Sequence, residues 1–211
     1  MTEGPASSGG TPQPPGSSGG TPQPPGEAPA SRREAILAAA LELFRRRTFH
    51  AVGIDEIGTA AGISGPGVYR HFPSKDSLLV ALFDRISEQM LAGARVVVAE
   101  HGAPEETLHR LVELHVGFVS EERALLSVWY QDWRSLPAPD RQRVRRRQVE
   151  YVGEWIQALS ELRPDLSPKG AETVAYAAVN TINSVAFHDA GLPREELDPL
   201  LARLALAVLA A

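Results

Sequence analysis

Missing residue types and segments rule out several kinds of protein. The sequence contains no cysteine, which excludes disulfides and thiolate metal ligands. No apolar run approaches the ~18 residues that a membrane-spanning helix needs, and the polar stretch after Met1 is unlike a signal peptide. We therefore expect an intracellular, cytoplasmic protein without a membrane partner.

Signatures of common enzymes are missing as well. No HExxH, GxSxG or P-loop pattern occurs. A single Glu-x-x-His lies at Glu106–His109, whereas a carboxylate-bridged di-iron bundle needs two such motifs and two further glutamates. Four histidines are scattered without metal-ligand spacing: His101, His109, His115 and His188. We predict no catalytic residue, no metal site and no cofactor; an all-α enzyme is the rival interpretation.

The N-terminal segment consists largely of a repeat. The decamer SSGGTPQPPG stands at 7–16 and again, unchanged, at 17–26. Gly, Ser and Pro dominate it, so no apolar burial offsets the entropy that ordering would cost. We predict a disordered tail over 1–30 that is either inert or binds a partner through its Pro-rich segments.

Charge is distributed unevenly along the rest of the chain. The net charge is -5, yet residues 31–75 carry seven basic against four acidic side chains. Residues 76–211 carry fourteen basic against twenty acidic side chains. A small basic module on an acidic body indicates a polyanionic partner.

Helical periodicity dominates residues 31–211, and no convincing period-2 segment occurs. Ser31 with Glu34 has the pattern of a capping box, Gly62 that of a helix end, and Ser64 and Ser74 that of N-caps. The predicted helices are 32–47, 54–61, 65–72, 75–99, 104–120, 122–133, 138–162, 168–189 and 194–210. The sequence therefore predicts an all-α fold.

The second and third of these helices have the spacing of a helix-turn-helix, with the tight turn at 62–64. In that motif the second helix enters the major groove of DNA. Val68 and Phe72 lie four residues apart and share its inward face, so we interpret Phe72 as a core residue.

Residues 31–76 resemble the DNA-binding domain of the TetR family of transcriptional repressors. The stretches AILAAALELF and IDEIGTAAGISGPGVYRHFPSKDSLL carry the resemblance, above all the pattern G[IV]S…[LV]Y.HF.sK..L. The resemblance implies a three-helix DNA-binding head over 31–76. It also implies a larger helical domain over 77–211 that binds an effector and dimerises.

The resemblance further implies which residues contact DNA. Close contact with the DNA groove is expected at Gly65, Pro66 and Gly67. Phosphate contacts are expected at Tyr69, His71 and Lys75. The predicted DNA-binding set also includes Ser64 and Arg70, and Arg70 contacts either a base or a phosphate. These side chains are donors of the kind that fix a protein on the DNA backbone.

Two positions depart from the family pattern. Thr48 precedes Phe49 where the family commonly has glycine. Gly53 stands where the family commonly has threonine, which removes a side-chain cap and a phosphate contact. Gly65 and Gly67 offer no side-chain hydrogen bonds, so we expect specificity to rest on few base contacts and on DNA shape.

Two C-terminal stretches, GAETVAYAAVNTINSVAFHDAG (170–191) and LDPLLARLALAVLAA (197–211), are rich in Ala, Val and Leu. We predict that they pair with their two-fold mates in a homodimer; the alternative is two core helices of a monomer. We also predict an effector pocket lined by aromatic and amide side chains. The candidates are Trp129, Tyr130, Trp133, Tyr151, Trp155, Asn180 and Asn183. Packing in the core would explain the aromatic residues equally well, and a hydrogen bond across the dimer would explain the asparagines.

An arginine-rich segment, DRQRVRRRQ at 140–148, forms either a solvated face or a site for a phosphate-bearing effector such as an acyl-CoA. The longer stretch QDWRSLPAPDRQRVRRRQ resembles actinobacterial TetR-family members linked to lipid metabolism. We therefore predict a ligand-responsive regulator, a repressor that a small lipophilic effector releases from its DNA operator. A ligand-independent DNA-binding protein is a further alternative.

Overall fold

Helices make up most of the chain. The computed structural model describes residues 1–2, 31–100, 102–187 and 191–211, so the predicted tail falls outside the described residues apart from Met1 and Thr2. Within the described part no strand occurs, which confirms the all-α prediction. The helices are α1 Arg32–Arg46, α2 Ile54–Ala60, α3 Gly65–Tyr69, α4 Lys75–Ala99, α5 Pro104–Glu121, α6 Arg123–Asp132, α7 Ala138–Leu162, α8 Pro168–Asn183 and α9 Arg194–Ala210.

The first three helices surround a small apolar core. From α1, Ile36, Ala40 and Phe44 are fully buried, because residues at this spacing share one helix face. Phe44 meets Phe49 edge-on, with ring centroids 5.3 Å apart. Phe72 is 2% exposed, which confirms that it is a core residue.

The helix ends use the caps that the sequence predicts. The Ser31 hydroxyl accepts from the Glu34 N–H at 3.2 Å, and the Glu34 carboxylate accepts from the Ser31 N–H at 2.7 Å. Ser74 begins α4 in the same way, since its hydroxyl accepts from the Ser77 N–H at 3.1 Å. Each such cap is worth about 1 kcal/mol to the helix that it starts.

The long helix α4 leaves the first three helices and runs through the rest of the fold. It packs along α7 and α5, and α5 in turn packs against α9. The last two helices, α8 and α9, lie against each other. Leucine and valine side chains fill the space between these helices, including fully buried Leu82, Leu111 and Leu159.

Two helix ends differ from the sequence-based expectation. The predicted helix 168–189 is regular only to Asn183, and a 3-10 turn follows at Ser184–Ala186. The Val185 carbonyl there accepts a hydrogen bond from Arg123 Nε at 3.1 Å, instead of continuing the helix. The third helix is regular only to Tyr69, although single turns carry backbone hydrogen bonds on to Phe72.

Candidate nucleic-acid interface and ligand cavity

The chain reverses sharply between α2 and α3. Gly62 has φ +70°, a left-handed conformation that glycine adopts without steric cost. The Gly62 N–H donates to the Thr59 carbonyl at 3.1 Å, and the Ile63 N–H donates to the Gly58 carbonyl at 2.9 Å. This pair of bonds is a Schellman motif, which closes α2 and lets α3 begin within three residues.

Helix α3 has one face in the core and one in solvent. Val68 is fully buried, whereas the Tyr69 side chain is 53% exposed. Arg70 and His71 are exposed beside it. Within the described residues, these three side chains make no hydrogen bond or ion pair. They are therefore available to an external anion.

The two glycines of α3 have different surroundings. Gly65 is buried, and a Cβ there would collide with the Asp55 carboxylate and lie 3.3 Å from Asp55 Cα, so the missing side chain makes room for α2. A Cβ on Gly67 would make only ordinary van der Waals contacts, 3.4 Å from Ser64 Oγ and 3.5 Å from Ile63 Cβ. Packing therefore accounts for glycine at 65, while the bare backbone at 67, beside exposed Pro66, suits the close approach of another molecule.

Lys75 makes its contacts inside the protein. Its Nζ donates to the carbonyl oxygens of Phe49 and Val52, both at 2.9 Å, and lies 4.4 Å from the centre of the Phe49 ring. The ammonium group thereby satisfies two carbonyls of the 3-10 turn Phe49–Ala51 and its C-terminal end. This position differs from the phosphate contact that the sequence suggested.

The same turn is bonded to the end of α6. The Phe49 N–H donates to Asp132 Oδ2 at 3.1 Å, and His50 Nε2 lies 3.0 Å from Ser135 Oγ. Asp132 is 3% exposed. Burial raises the pKa of Asp132, against the opposing effects of the Phe49 N–H and of nearby His50 and Lys75. A buried carboxylate thus connects the first three helices to the body.

Helices α4 to α8 line a cavity of about 60 Å³. Its apolar wall includes Ile86, Met90, Leu126, Trp129, Val152 and Val179. The polar groups on the wall include His115, Tyr151 and Asn183, and Arg147 also lines it. Cavities of this composition suit apolar ligands that carry a few hydrogen-bonding groups.

The buried polar groups of the wall satisfy one another. His115 Nδ1 lies 2.6 Å from the Tyr151 hydroxyl, and His115 Nε2 lies 2.9 Å from Asn183 Oδ1. Burial lowers the pKa of His115 to about 4, although the bond to Asn183 opposes this shift. The imidazole is therefore neutral at pH 7; its Nε2–H donates to the amide oxygen and its Nδ1 accepts from the phenol.

Comparison with known proteins agrees with this architecture. Residues 36–82 match the family described as "Bacterial regulatory proteins, tetR family", and residues 101–209 match the "Tetracyclin repressor-like, C-terminal domain". The "HTH-type transcriptional regulator EthR" of Mycolicibacterium smegmatis is 32% identical over 155 residues, 73% of this chain and 69% of EthR.

The chain belongs to the TetR family. It is a DNA-binding transcriptional regulator of the helix-turn-helix type, as the sequence predicted. The "HTH-type transcriptional activator FasR" of Mycolicibacterium smegmatis is 35% identical over 91 residues, which cover 43% of this chain and only 42% of FasR. The solved structure "AibR in complex with isovaleryl coenzyme A and operator DNA" has a TM-score of 0.70 at 18% identity, covering 82% of this chain and 97% of AibR.

In this TetR-family chain the cavity brings together four of the side chains selected from the sequence: Trp129, Tyr130, Tyr151 and Asn183. Three others lie elsewhere. Trp133 stacks on Trp129, with ring centroids 5.6 Å apart. Trp155 is fully buried behind His115. Asn180 is exposed and donates to the Tyr176 carbonyl at 2.9 Å. Residues four apart share a helix face but lie about 6 Å apart along the helix axis, so one member of such a pair can reach the cavity while the other does not.

Sequence reasoning missed His115 and Arg147 as cavity residues of this TetR-family chain. His115 stands four residues after Leu111 on the buried face of α5. A polar side chain at a position where the helical pattern expects an apolar one was the sequence signal that could have identified it. Arg147 is bonded to Asp84 at 2.6 Å and to Glu88 at 2.8 Å. Those partners lie on α4, far from α7 in the chain, so no local pattern pointed to them.

The described part of this family member offers neither a metal site nor a membrane span. It contains no group of three or more His, Asp or Glu side chains able to hold a metal ion. No helix in the same residues has both the length and the apolar character that crossing a membrane requires.

Proposed function

We propose that the protein is a homodimeric repressor that leaves its operator when a small lipophilic effector enters the cavity of the body. The observation that supports this most directly is the connection between cavity and head. Trp129 lines the cavity, and Asp132, on the same helix α6, accepts from the backbone of the Phe49 turn. A ligand that displaces α6 would move the turn that Lys75 also holds.

DNA contact in this proposal involves six residues of the α3 region: Ser64, Pro66, Gly67, Tyr69, Arg70 and His71. The exposed donors Tyr69, Arg70 and His71 bind phosphate or base edges, and the bare backbone of Gly67 lets α3 approach the groove. Gly65 and Lys75 serve the packing of the head. Each head would read one half-site, with the two copies at least ~34 Å apart.

Dimerisation is assigned to α8 and α9. These helices pack on each other, and each also keeps a solvent side with small or apolar residues. Thr173 and Ala177 are exposed on α8 and Ala207 on α9, where Leu204 is 46% exposed. A two-fold axis beside these faces would pair them as a four-helix interface, because an isologous contact needs a self-complementary surface.

The effector is proposed to be an apolar molecule with a polar group. Among such molecules we propose an acyl-CoA, on two grounds. The cavity walls are aromatic and aliphatic, and the neutral His115 network lies among them. AibR, of the same fold, was solved with isovaleryl coenzyme A and operator DNA. At about 60 Å³ the cavity is small, so an acyl chain must widen it as it enters. To change operator occupancy from nearly full to nearly empty, the effector must bind the DNA-free conformation ~5.5 kcal/mol more tightly than the DNA-binding conformation.

Fluorescence anisotropy on DNA from upstream of the protein's own gene tests this proposal, with random DNA as competitor. We expect competitor-resistant binding by two subunits, and release upon addition of a fatty acyl-CoA. Tyr130→Ala should alter the effector concentration for release while operator affinity in its absence stays the same. Binding by a monomer, or release that is unaltered by every cavity variant, would contradict the dimer or the effector site respectively.

A further inference from the structure

The arginines of α7 divide into two groups with different partners. Arg143 binds Asp84 at 2.7 Å and Asp140 at 2.6 Å, and Arg147 binds Asp84 and Glu88. Carboxylates therefore neutralise this side of the helix. Arg141 and Arg145 lie on another side of α7, and neither has a carboxylate partner within the described residues.

A groove of about 480 Å³ lies over that second side. It is lined by Trp133, Arg134, Ala138, Arg141, Gln142 and Arg145, and no acidic side chain is among them. Arg134 and Arg145 are exposed and also lack a carboxylate partner in the described parts of the chain. Three guanidinium groups and an indole thus share one concave surface.

Part of this groove is already held in position. Arg141 Nη1 donates to the Arg134 carbonyl at 3.1 Å and to the Leu136 carbonyl at 3.2 Å, which fixes the guanidinium, while its other N–H groups have no partner among the described residues. Trp133 stacks on Trp129 at an interplanar angle of 29°. Both groups are therefore oriented before any ligand binds, which reduces the entropy that binding costs.

We propose that this groove, defined by Trp133, Arg134, Arg141 and Arg145, binds the nucleotide portion of the effector. Guanidinium groups bind phosphate bidentately, and an indole offers a face on which a base stacks. This groove is next to the cavity of the proposed function, on which the assignment rests: Trp129 lines the cavity, Trp133 lines the groove, and the two indoles stack on each other. An acyl chain and its nucleotide would occupy neighbouring sites.

A nucleotide fits these groups better than duplex DNA does. A duplex presents phosphates on its outside but keeps its bases stacked and paired, so it would leave the indole unused. An inorganic anion would likewise engage only the guanidinium groups. The chemistry of the groove requires a ligand that combines an aromatic ring with more than one phosphate.

Isothermal titration calorimetry of the full chain tests the groove with adenosine 3′,5′-bisphosphate as the probe. We expect micromolar binding, lowered at least tenfold by the double change Arg134→Ala with Arg145→Ala. Arg146→Ala is the matched control, since this exposed arginine of α7 does not line the groove, and it should leave the affinity unchanged. Trp133→Leu should weaken binding of the bisphosphate but not of pyrophosphate, with thermal melting as the check on folding.

No binding at millimolar probe would overturn the inference, and so would equal affinity for pyrophosphate and the bisphosphate. A double variant that loses operator affinity while nucleotide affinity is unchanged would assign the arginines to DNA instead. The proposed function fails separately: if acyl-CoA does not release operator DNA although the bisphosphate binds, the groove is a nucleotide site and the effector assignment is wrong.

Discussion

The head and the body use polar side chains in opposite ways. On the head, Tyr69, Arg70 and His71 are exposed and make no side-chain bond within the described residues. In the body, His115, Tyr151 and Asn183 are buried and bonded to one another. Polar groups left without partners at a surface are ready for a ligand, whereas buried ones must be satisfied internally.

The difference has a practical consequence. A substitution on the exposed face of α3 should alter binding without altering stability, whereas a substitution in the His115 network should alter stability as well. Lys75 and Trp155 differ from the binding roles that the sequence suggested for them. Lys75 belongs to the predicted DNA-binding set, yet its ammonium group bonds to a backbone carbonyl of the head. Trp155 belongs to the predicted pocket, yet it is fully buried in the core.

The largest effect is expected from Trp155→Ala. The indole is fully buried, so its removal should lower the free energy of unfolding by about 3–5 kcal/mol. Tyr130→Ala, at the half-buried edge of the cavity, should cost clearly less. Urea denaturation of both variants measures the difference, and equal losses would remove the distinction between core and cavity aromatics.

Tyr69→Phe should weaken DNA binding without lowering stability. Loss of a hydroxyl bonded to phosphate should weaken operator binding about tenfold per subunit and about a hundredfold per dimer, with the melting temperature unchanged. Tyr130→Phe, at the cavity of the body, is the control and should bind normally in the absence of effector. Anisotropy on operator and on random DNA should show the same loss; wild-type affinity in Tyr69→Phe would exclude the phosphate contact.

Acid should destabilise the body through His115. Its pKa is lowered from 6.5 to about 4 in the folded protein, so the unfolded chain takes up the proton first as pH falls. Stability is complete above pH 6.5 and decreases towards pH 4, by about 2 kcal/mol between pH 7 and 5. Urea denaturation at both pH values should show this loss in the wild type and less of it in His115→Gln; identical losses would contradict burial of a neutral imidazole.

The smallest expected change in DNA binding distinguishes Arg70 from Lys75. Arg70→Ala should flatten the dependence of log affinity on log salt by about 0.9 for each phosphate that the arginine neutralises. Lys75→Met should leave that slope unchanged but cost about 1–3 kcal/mol of stability, because two carbonyls lose their donor. Salt titrations of both variants on operator DNA distinguish the two roles, and an equally reduced slope would place the Lys75 ammonium on the DNA.

The helices and the DNA-binding head follow from local sequence. The left-handed glycine at 62 and the caps at Ser31, Ser64 and Ser74 act within a few residues, so the pattern of residues around them is enough to predict their effect. The burial of Phe72 also followed from helical spacing.

The contacts that each residue makes, even among residues of the same type, depend instead on the three-dimensional fold. Asp132 bonds to Phe49 across 83 residues, and His115 bonds to Asn183 across 68. Arg143 and Arg145 look alike in the sequence, yet Asp84 lies beside only one of them. Such roles depend on partners that chain folding brings from distant segments, and the local patterns of helix formation contain no information about those partners.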